Sequence, residues 1–186
     1  PQHTHFVMHL TESREPELRY WNPRRFGRLY LLDESGLERY LRRRFGYEPL
    51  AMTRQEFGKL MASCRGRLKA LLMHQQKIAG IGNIYANEIL FRAGLHPSQV
   101  ASRVKPDAIN RLYDVIREVL LEAVEFGGSS VRDYFAPDGT LGTYRLFHRV
   151  YGKAGAPCPN ECGATVRRVM EERSSFICPR CQPKSG

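Results

Sequence analysis

"KIAGIGNIYANEILFRAGLHP", residues 77–97, decides how this chain is organised, because a turn with two glycines runs directly into a segment of helical periodicity. Ala86, Leu90 and Ala93 recur at intervals of four and three, which places them on one face of a helix. Gly94 follows them, and glycine is the residue most typical of the position just beyond a helix C-terminus. The stretch therefore predicts a helix over residues 83–93.

The turn before this helix has the properties of an anion-binding site. The first turn of a helix leaves backbone amides unpaired and carries partial positive charge. Gly80 and Gly82 allow a ligand to approach the backbone, and Asn83 adds a side-chain amide. A branched side chain at position 82 is expected to block that approach and to strain the turn. Two interpretations stay open: a seat for a phosphate group, or a tight turn in which Asn83 caps the helix.

The charge of the chain favours an anionic partner. Lys and Arg outnumber Asp and Glu by 29 to 19 among the 186 residues, which gives a formal net charge of +10 at pH 7. This balance is typical of proteins that bind nucleic acid or an acidic membrane surface. A hydrophobic fraction of 42% is enough to fill a globular core. Because no run of ~18 apolar residues is present, we expect no membrane-spanning segment.

The segment before the central stretch has the pattern of β structure. Residues 3–10 alternate between polar and apolar side chains. The sequence "ELRYWNPRRFGRLYLL", residues 17–32, indicates two strands around a Pro-Arg-Arg turn. The texture changes after Glu48 and Pro49, where helical spacing begins.

Helical patterns dominate the middle of the chain. Thr53 and Glu56 form the pattern of a capping box, and helical spacing then continues to about Met73. Pro106 suits the first turn of a long helix, which the glycine pair at 127–128 ends. The apolar stripe of this helix consists of Ile109, Leu112, Ile116, Val119, Ala123 and Phe126. A β-rich segment followed by a helical region defines an α+β protein.

Four cysteines lie close together near the C-terminus. Cys158 and Cys162 have three residues between them, fifteen residues follow, and Cys178 and Cys181 have two between them. Paired thiolates at such spacings are typical of a closed, tetrahedral Zn²⁺ site whose role is folding. Two disulfides, or thiols without a role, are the alternatives. The residues between the pairs are expected to form a β-hairpin with Arg173 near its turn, and Cys64 is expected to be a separate, partly buried thiol.

Five motifs resemble those of the formamidopyrimidine-DNA glycosylase / endonuclease VIII family, in that family's order. They are "NPRRFG", "AGIGNIYANEILFRAGLHP", "GGSSVRDYFAPDG", "VYGKAGAPC" and "RSSFICPRCQ". The formamidopyrimidine branch fits best, because it has a four-cysteine finger and an Arg-x-Phe turn. The resemblance implies the tail of an N-terminal β-sandwich (1–48), a helix–two-turn–helix domain with a lesion-capping loop (49–149) and a zinc-finger β-hairpin (150–186).

The resemblance also implies roles for individual residues. Asn83 and the turn amides, together with Arg173, are expected to bind backbone phosphates beside a damaged nucleotide. Arg24 is expected to fill the gap left by the flipped nucleotide, Phe26 to wedge into the base stack and Arg25 to support backbone contacts. The implied DNA-binding residues are Asn83, Gly82, Gly80, Arg24, Arg25, Phe26 and Arg173. The implied ligands of one structural Zn²⁺ are Cys158, Cys162, Cys178 and Cys181.

The start of the chain departs from the family. Family members begin with a catalytic proline followed by glutamate, whereas Gln2 follows Pro1 here, in surroundings that resemble a later part of the catalytic domain. We therefore interpret Pro1 as a coincidence, predict no catalytic residue in this chain, and expect most of the catalytic domain to be missing from it. The additional residue between Cys158 and Cys162 is expected to make that knuckle bulge.

The expected function is damaged-DNA binding in base-excision repair. The resemblance implies the DNA-binding part of a bifunctional DNA glycosylase and abasic-site lyase that acts on oxidised purines. The expected partner is double-stranded DNA with oxidised bases or abasic sites, bound by a monomer in the bacterial cytoplasm. A non-catalytic, zinc-dependent DNA-binding module is the alternative.

Overall fold

The computed structural model describes residues 2–129 and 140–184. The chain divides into two compact units, Pro1–Arg39 and Tyr40–Gly186. Pro1, and most of the expected lesion-capping segment, lie outside the described residues. Within the described part of the chain, no helix has the length and apolar character needed to cross a membrane.

The first unit contains one β-hairpin. Strands β1 (Thr4–His9) and β2 (Glu17–Trp21) pair antiparallel, with an irregularity between Thr4 and Phe6. The expected second strand after the Pro-Arg-Arg turn is wrong, because residues 26–33 form no strand. Apolar alternation shows only that a segment suits a pleated surface. Such a segment forms a strand only if a partner strand lies beside it in register, and the local pattern does not show whether one is present.

Helix α1 (Glu34–Arg44) lies before residue 49, the point after which the sequence pattern first indicated helical spacing. Gly36 N donates to the Asp33 carboxylate at 2.7 Å, which satisfies an amide of the first turn. Three arginines occupy the last turn, where positive charge is favourable. An acidic residue at the start and a basic run at the end are the signals that could have identified this helix.

In the second unit, α2 (Arg54–Ser63) begins as expected. Thr53 Oγ1 accepts from Glu56 N, and Glu56 accepts from Thr53 N at 2.8 Å, so the capping box is confirmed. The expected continuous helix to Met73 is wrong, because α2 ends at Ser63 and α3 (Leu68–Leu72) follows separately. The backbone between them pairs elsewhere: Cys64 O and Gly66 O accept amides of the segment at 101–102.

Helices α4 (Asn83–Arg92) and α5 (Pro106–Glu125) confirm the predicted helices. Both α2 and α4 pack against α5. Leu112, Ile116, Val119 and Ala123 of α5 are buried in the main core, and Ile109 and Phe126 pack against it. Short 3-10 turns occur at Ala101–Arg103 and Tyr144–Phe147.

The cysteine-bearing segment contains the expected hairpin, β3 (Arg167–Met170) and β4 (Ser174–Ile177). Residues 150–184 are called the finger below. A second hydrophobic cluster joins Phe91 of α4 to Val150, Val166, Cys158 and Cys178. The finger therefore packs directly on the helix that begins at the glycine turn.

Candidate nucleic-acid interface and metal centre

The glycine turn is held in shape by one side chain. Gln75 Oε1 accepts from Gly80 N at 2.9 Å, and Gln75 Nε2 donates to Ile81 O at 3.0 Å. Gly80 has φ +81°, a left-handed conformation that favours glycine. Gln75 thereby fixes the residues that lead into α4.

The N-terminus of α4 is open. Its N-cap is Gly82, which is exposed and supplies no capping side chain. Asn83 is the first helical residue, and among the described residues its side chain contacts Asn87 Nδ2 at 3.4 Å and no first-turn amide. The alternative in which Asn83 caps the helix is therefore wrong. The amides of the first turn remain accessible for an anion.

The two glycines of the turn differ in what they require. At Gly82, φ is −99° and a Cβ would meet nothing within 4 Å, so the expected strain from a side chain there is wrong. At Gly80, space is also open but φ is +81°. Only Gly80 is required by the backbone conformation, whereas Gly82 leaves the approach to the amides unobstructed.

This difference gives a prediction for a matched pair of variants. Gly80→Ala is expected to lower the free energy of unfolding by about 1 to 2 kcal/mol, because an L-residue is strained in the left-handed region. Gly82→Ala is expected to change it by less than about 0.5 kcal/mol. Chemical denaturation measures both. Equal losses in the two variants would contradict the conformational assignment.

A cavity of about 610 Å³ opens beside this turn. Gly80 and Tyr85 line one side, and the end of α5 with Gly127 and Gly128 lines another. Most of the side chains that line this cavity are apolar, and Gly80 is the residue of the turn that borders it.

The Pro-Arg-Arg turn of the first unit presents its side chains to solvent. Asn22 O accepts from Arg25 N at 3.2 Å, which closes the turn, and Arg25 has φ +55°. Arg24 and Arg25 are exposed, and Phe26 is 85% exposed. Phe26 is therefore not a core residue within the described structure, and its aromatic ring is available for contact.

The four clustered cysteines can hold a metal ion. Their Sγ atoms all lie within 4.8 Å of one another, with 3.6 Å between Cys158 and Cys181 and 3.4 Å between Cys162 and Cys178. Tetrahedral Zn–S bonds of about 2.3 Å imply S···S separations of about 3.8 Å, which these distances approach. They exceed the bond length of about 2.05 Å in a disulfide, and all four cysteines are free.

The first knuckle bulges as expected. Glu161 has φ +51° and Gly163 has φ +80°, and Glu161 N donates to Cys158 O at 2.9 Å. The left-handed residue takes up the additional position between Cys158 and Cys162. Both sulfurs therefore still reach the cluster.

The thiols differ in how readily they lose a proton. Burial raises the pKa of Cys158, and raises that of Cys181 to about 12. A hydrogen bond from the Ala164 amide lowers the pKa of Cys162 to about 7. A cation binding here must displace protons, so its affinity falls as the pH is lowered.

Contacts around the sulfurs connect the cluster to the helical region. Asn160 Nδ2 approaches Cys181 Sγ at 3.6 Å. Gln182 is buried, accepts from Cys178 N at 3.1 Å and donates to Leu95 O at 2.8 Å. The Gln182 side chain thus links the knuckle that contains Cys178 to the residues just after α4.

Glu88 is a buried carboxylate that the sequence patterns did not identify. It is fully buried and accepts backbone amides of residues 149, 150 and 151 at 2.7, 3.1 and 2.8 Å. These hydrogen bonds fix the chain where it enters the finger. The signal that could have found it is a charged residue between the buried Ala86 and Ile89.

Lys69 and Asn87 also connect the helices to the finger. Lys69 is 4% exposed and Asn87 2% exposed, and both bond to strand β4. Arg173, at the hairpin turn, is exposed beside a cavity of about 450 Å³ that is also lined by Lys69, His74 and Glu171. The structure thus places Arg173 and Asn83 in one unit, on elements joined by buried polar contacts.

Comparisons with known proteins agree with this architecture. The family model described as "Formamidopyrimidine-DNA glycosylase H2TH domain" matches residues 45–134. The formamidopyrimidine-DNA glycosylase of Chloroflexus aurantiacus is 42% identical over 184 residues, 97% of this chain and 65% of that protein. The chain therefore spans just under two thirds of that relative.

Solved structures show the same fold. The MutM (Fpg) protein from Thermus thermophilus superposes with a TM-score of 0.87 and 41% identity, over 100% of this chain and 71% of that one. Lactococcus lactis Fpg in complex with DNA that contains an abasic site gives a TM-score of 0.86 and 32% identity, over 99% and 68%. This chain thus combines an H2TH domain with a four-cysteine hairpin. The chain belongs to the formamidopyrimidine-DNA glycosylase family.

Proposed function

We propose that this chain is the DNA-binding part of a bifunctional DNA glycosylase and abasic-site lyase of base-excision repair, acting on oxidised purines. The observation that carries the proposal is the uncapped N-terminus of α4 in a chain of net charge +10, on the same helix that receives the finger. Family relatives bound to DNA with an abasic site or a Fapy-dG lesion support it. The proposed partner is double-stranded DNA with such damage, bound by a monomer.

The phosphate contacts come from the second unit. The turn amides and the Asn83 side chain bind one phosphate, because the helix start combines free donors with partial positive charge. Arg173 binds the same strand from the finger, and its planar guanidinium can bind a phosphate with two hydrogen bonds.

Distortion of the duplex is assigned to the Pro-Arg-Arg turn. Extruding a base costs a few kcal/mol. Phe26 offsets part of that cost by entering the stack, and Arg24 occupies the vacated position opposite the orphaned base. Arg25 supports the backbone contacts. The exposure of all three side chains supports these roles.

Zinc is the proposed occupant of the cysteine cluster. Cys158, Cys162, Cys178 and Cys181 provide four soft ligands and leave no open position, so the ion contributes folding energy and no chemistry. Its role is to keep the short hairpin rigid enough to present Arg173. We assign no catalytic residue among residues 2–129 and 140–184.

We propose three domains along the chain. Residues 1–48 form the C-terminal part of the β-rich catalytic domain, residues 49–149 the helix–two-turn–helix domain with its lesion-capping loop, and residues 150–186 the zinc finger. The buried contacts between α4 and the finger support treating the last two as one binding surface.

The test is DNA affinity of the Asn83→Ala variant. A fluorescent duplex with an abasic-site analogue is expected to bind with a Kd raised roughly 5- to 30-fold, a loss of about 1 to 2 kcal/mol, as for one hydrogen bond to a charged group. The logarithm of the binding constant is expected to fall with the logarithm of salt concentration by roughly 0.9 per phosphate contacted.

The matched control is Asn110→Ala, at an exposed asparagine of α5. It is expected to leave both the affinity and the melting temperature unchanged. An Asn83→Ala variant that binds DNA as the parent does would remove the phosphate seat from the proposal, and affinity insensitive to salt would contradict the proposal as a whole.

A further inference from the structure

Strand β4 of the finger has one edge without a neighbouring strand among the described residues. β3 pairs with β4, opposing Ser174 with Met170 and Phe176 with Arg168. Alternate residues of a strand direct their backbone groups to the same edge. Ser174 and Phe176 therefore share an edge, and their partners there are side chains of the helical region.

Lys69 and Asn87 take the place of a third strand at that edge. Lys69 Nζ donates to Ser174 O at 2.8 Å, and Asn87 Oδ1 accepts from Phe176 N at 2.6 Å. Lys69 Nζ also donates to Ser175 Oγ at 2.8 Å and lies 3.5 Å from Arg173 O. One side chain supplies donors and the other an acceptor, so both kinds of backbone group on this edge are satisfied.

Because these contacts are buried, they favour one position of β4 against the helices. Lys69 and Asn87 are almost inaccessible, and Ser175 is fully buried. A buried ammonium is costly unless its hydrogen bonds are made, so a shift of β4 would leave it without its acceptors. Burial lowers the pKa of Lys69 to about 8, while Glu171 opposes this, so the ammonium form still predominates at pH 7.

The same contacts reach the proposed phosphate seat. Asn87 Nδ2 donates to Asn83 O at 2.7 Å, so one amide group joins the first turn of α4 to β4. Arg173 directly precedes Ser174, the residue that Lys69 holds. Arg173 and the start of α4 are thus kept in a fixed relation by two side chains that are almost fully buried.

We propose that Lys69 and Asn87 are positioning residues that hold β4 in register on α3 and α4, so that Arg173 and the N-terminus of α4 contact the same DNA strand. This inference rests on the proposed DNA-binding function. It adds that the contribution of Arg173 depends on two residues that make no DNA contact of their own.

A double-mutant cycle on the full chain tests the dependence. Arg173→Ala is expected to raise the Kd for the abasic-analogue duplex about 10-fold in the parent chain. In the Lys69→Met background, the same change is expected to raise it less than about 2-fold, because Arg173 is no longer held against the strand. The salt slope of Lys69→Met is expected to fall by roughly 0.9, the share of one phosphate.

Lys59→Met is the matched control, since Lys59 is an exposed residue of α2 and the variant removes the same charge. In the double variant, the factors by which Lys59→Met and Arg173→Ala raise the Kd are expected to multiply. Zinc content of one per chain and an unchanged circular dichroism spectrum show that a variant is folded. If Lys69→Met does not fold, Asn87→Ser enters the same cycle, with the same coupling expected.

Two results overturn the inference, and they are distinguishable. If Arg173→Ala raises the Kd by the same factor in the parent and in the folded positioning variants, Lys69 and Asn87 do not position it, while the DNA-binding function stands. If Arg173→Ala has no effect in the parent chain, the inference fails together with the proposed role of Arg173.

Discussion

Replacing Cys178 with serine is expected to abolish stoichiometric zinc binding and to unfold the finger, while the helical core keeps its own melting transition. Cys178 is fully buried, and its sulfur lies 3.4 Å from that of Cys162. Structural zinc contributes about 10 to 16 kcal/mol of apparent binding energy in small finger peptides, more than a hairpin of this size gains from its own core. Elemental analysis and thermal denaturation of the purified variant measure both effects.

Cys64→Ser is the control for this experiment. Cys64 is also buried, but it lies outside the cluster and accepts from Lys77 Nζ at 3.4 Å. That variant is expected to retain one zinc ion per chain. Freshly purified parent protein without zinc, or a Cys178→Ser variant that keeps one equivalent and a folded hairpin, would show that the metal does not stabilise the finger.

Glu88→Ala is expected to lower the free energy of unfolding by roughly 3 to 5 kcal/mol. The carboxylate accepts three backbone amides where the chain enters the finger, and the variant leaves these donors buried without partners. Urea denaturation measures the loss. Because the finger rests on this contact, we also expect DNA affinity to fall at temperatures where the parent is still folded.

Glu118→Ala is the matched control, because Glu118 is an exposed glutamate of α5. Its effect is expected to stay within about 0.5 kcal/mol. If Glu88→Ala is as stable as Glu118→Ala, water or another side chain satisfies the amides of residues 149–151, and the carboxylate is not what holds the entry to the finger.

Local rules were sufficient for a large part of the architecture. The capping box of Thr53 and Glu56, and the bounds of α4 and α5, followed from caps and from helical spacing. The cysteine cluster and its bulged knuckle followed from the number of residues between ligands. In each case the interacting residues are few positions apart, or their spacing is set by one ion. The local sequence is therefore sufficient to predict their arrangement.

Local rules failed where a distant partner decides the conformation. Residues 26–33 alternate like a strand but form none, and the expected helix up to Met73 breaks after Ser63, because the backbone at 64–68 pairs with residues 99–102. The turn pattern indicated that the backbone at position 82 requires glycine. The φ of Gly82 is one that any residue can adopt, so the absence of a side chain matters there only because it leaves the approach to the amides unobstructed.

The sequence by itself determined where α2, α4 and α5 begin and which four cysteines cluster, because these features depend on neighbours along the chain or on a fixed ligand spacing. Only the tertiary structure decided how the finger is attached. Three polar residues of the helices, Lys69, Asn87 and Glu88, have no unusual sequence pattern around them. They are buried against partners that lie roughly 60 to 105 positions away along the chain. The low-dielectric interior gives those hydrogen bonds their strength, and no local pattern reports which groups will meet there.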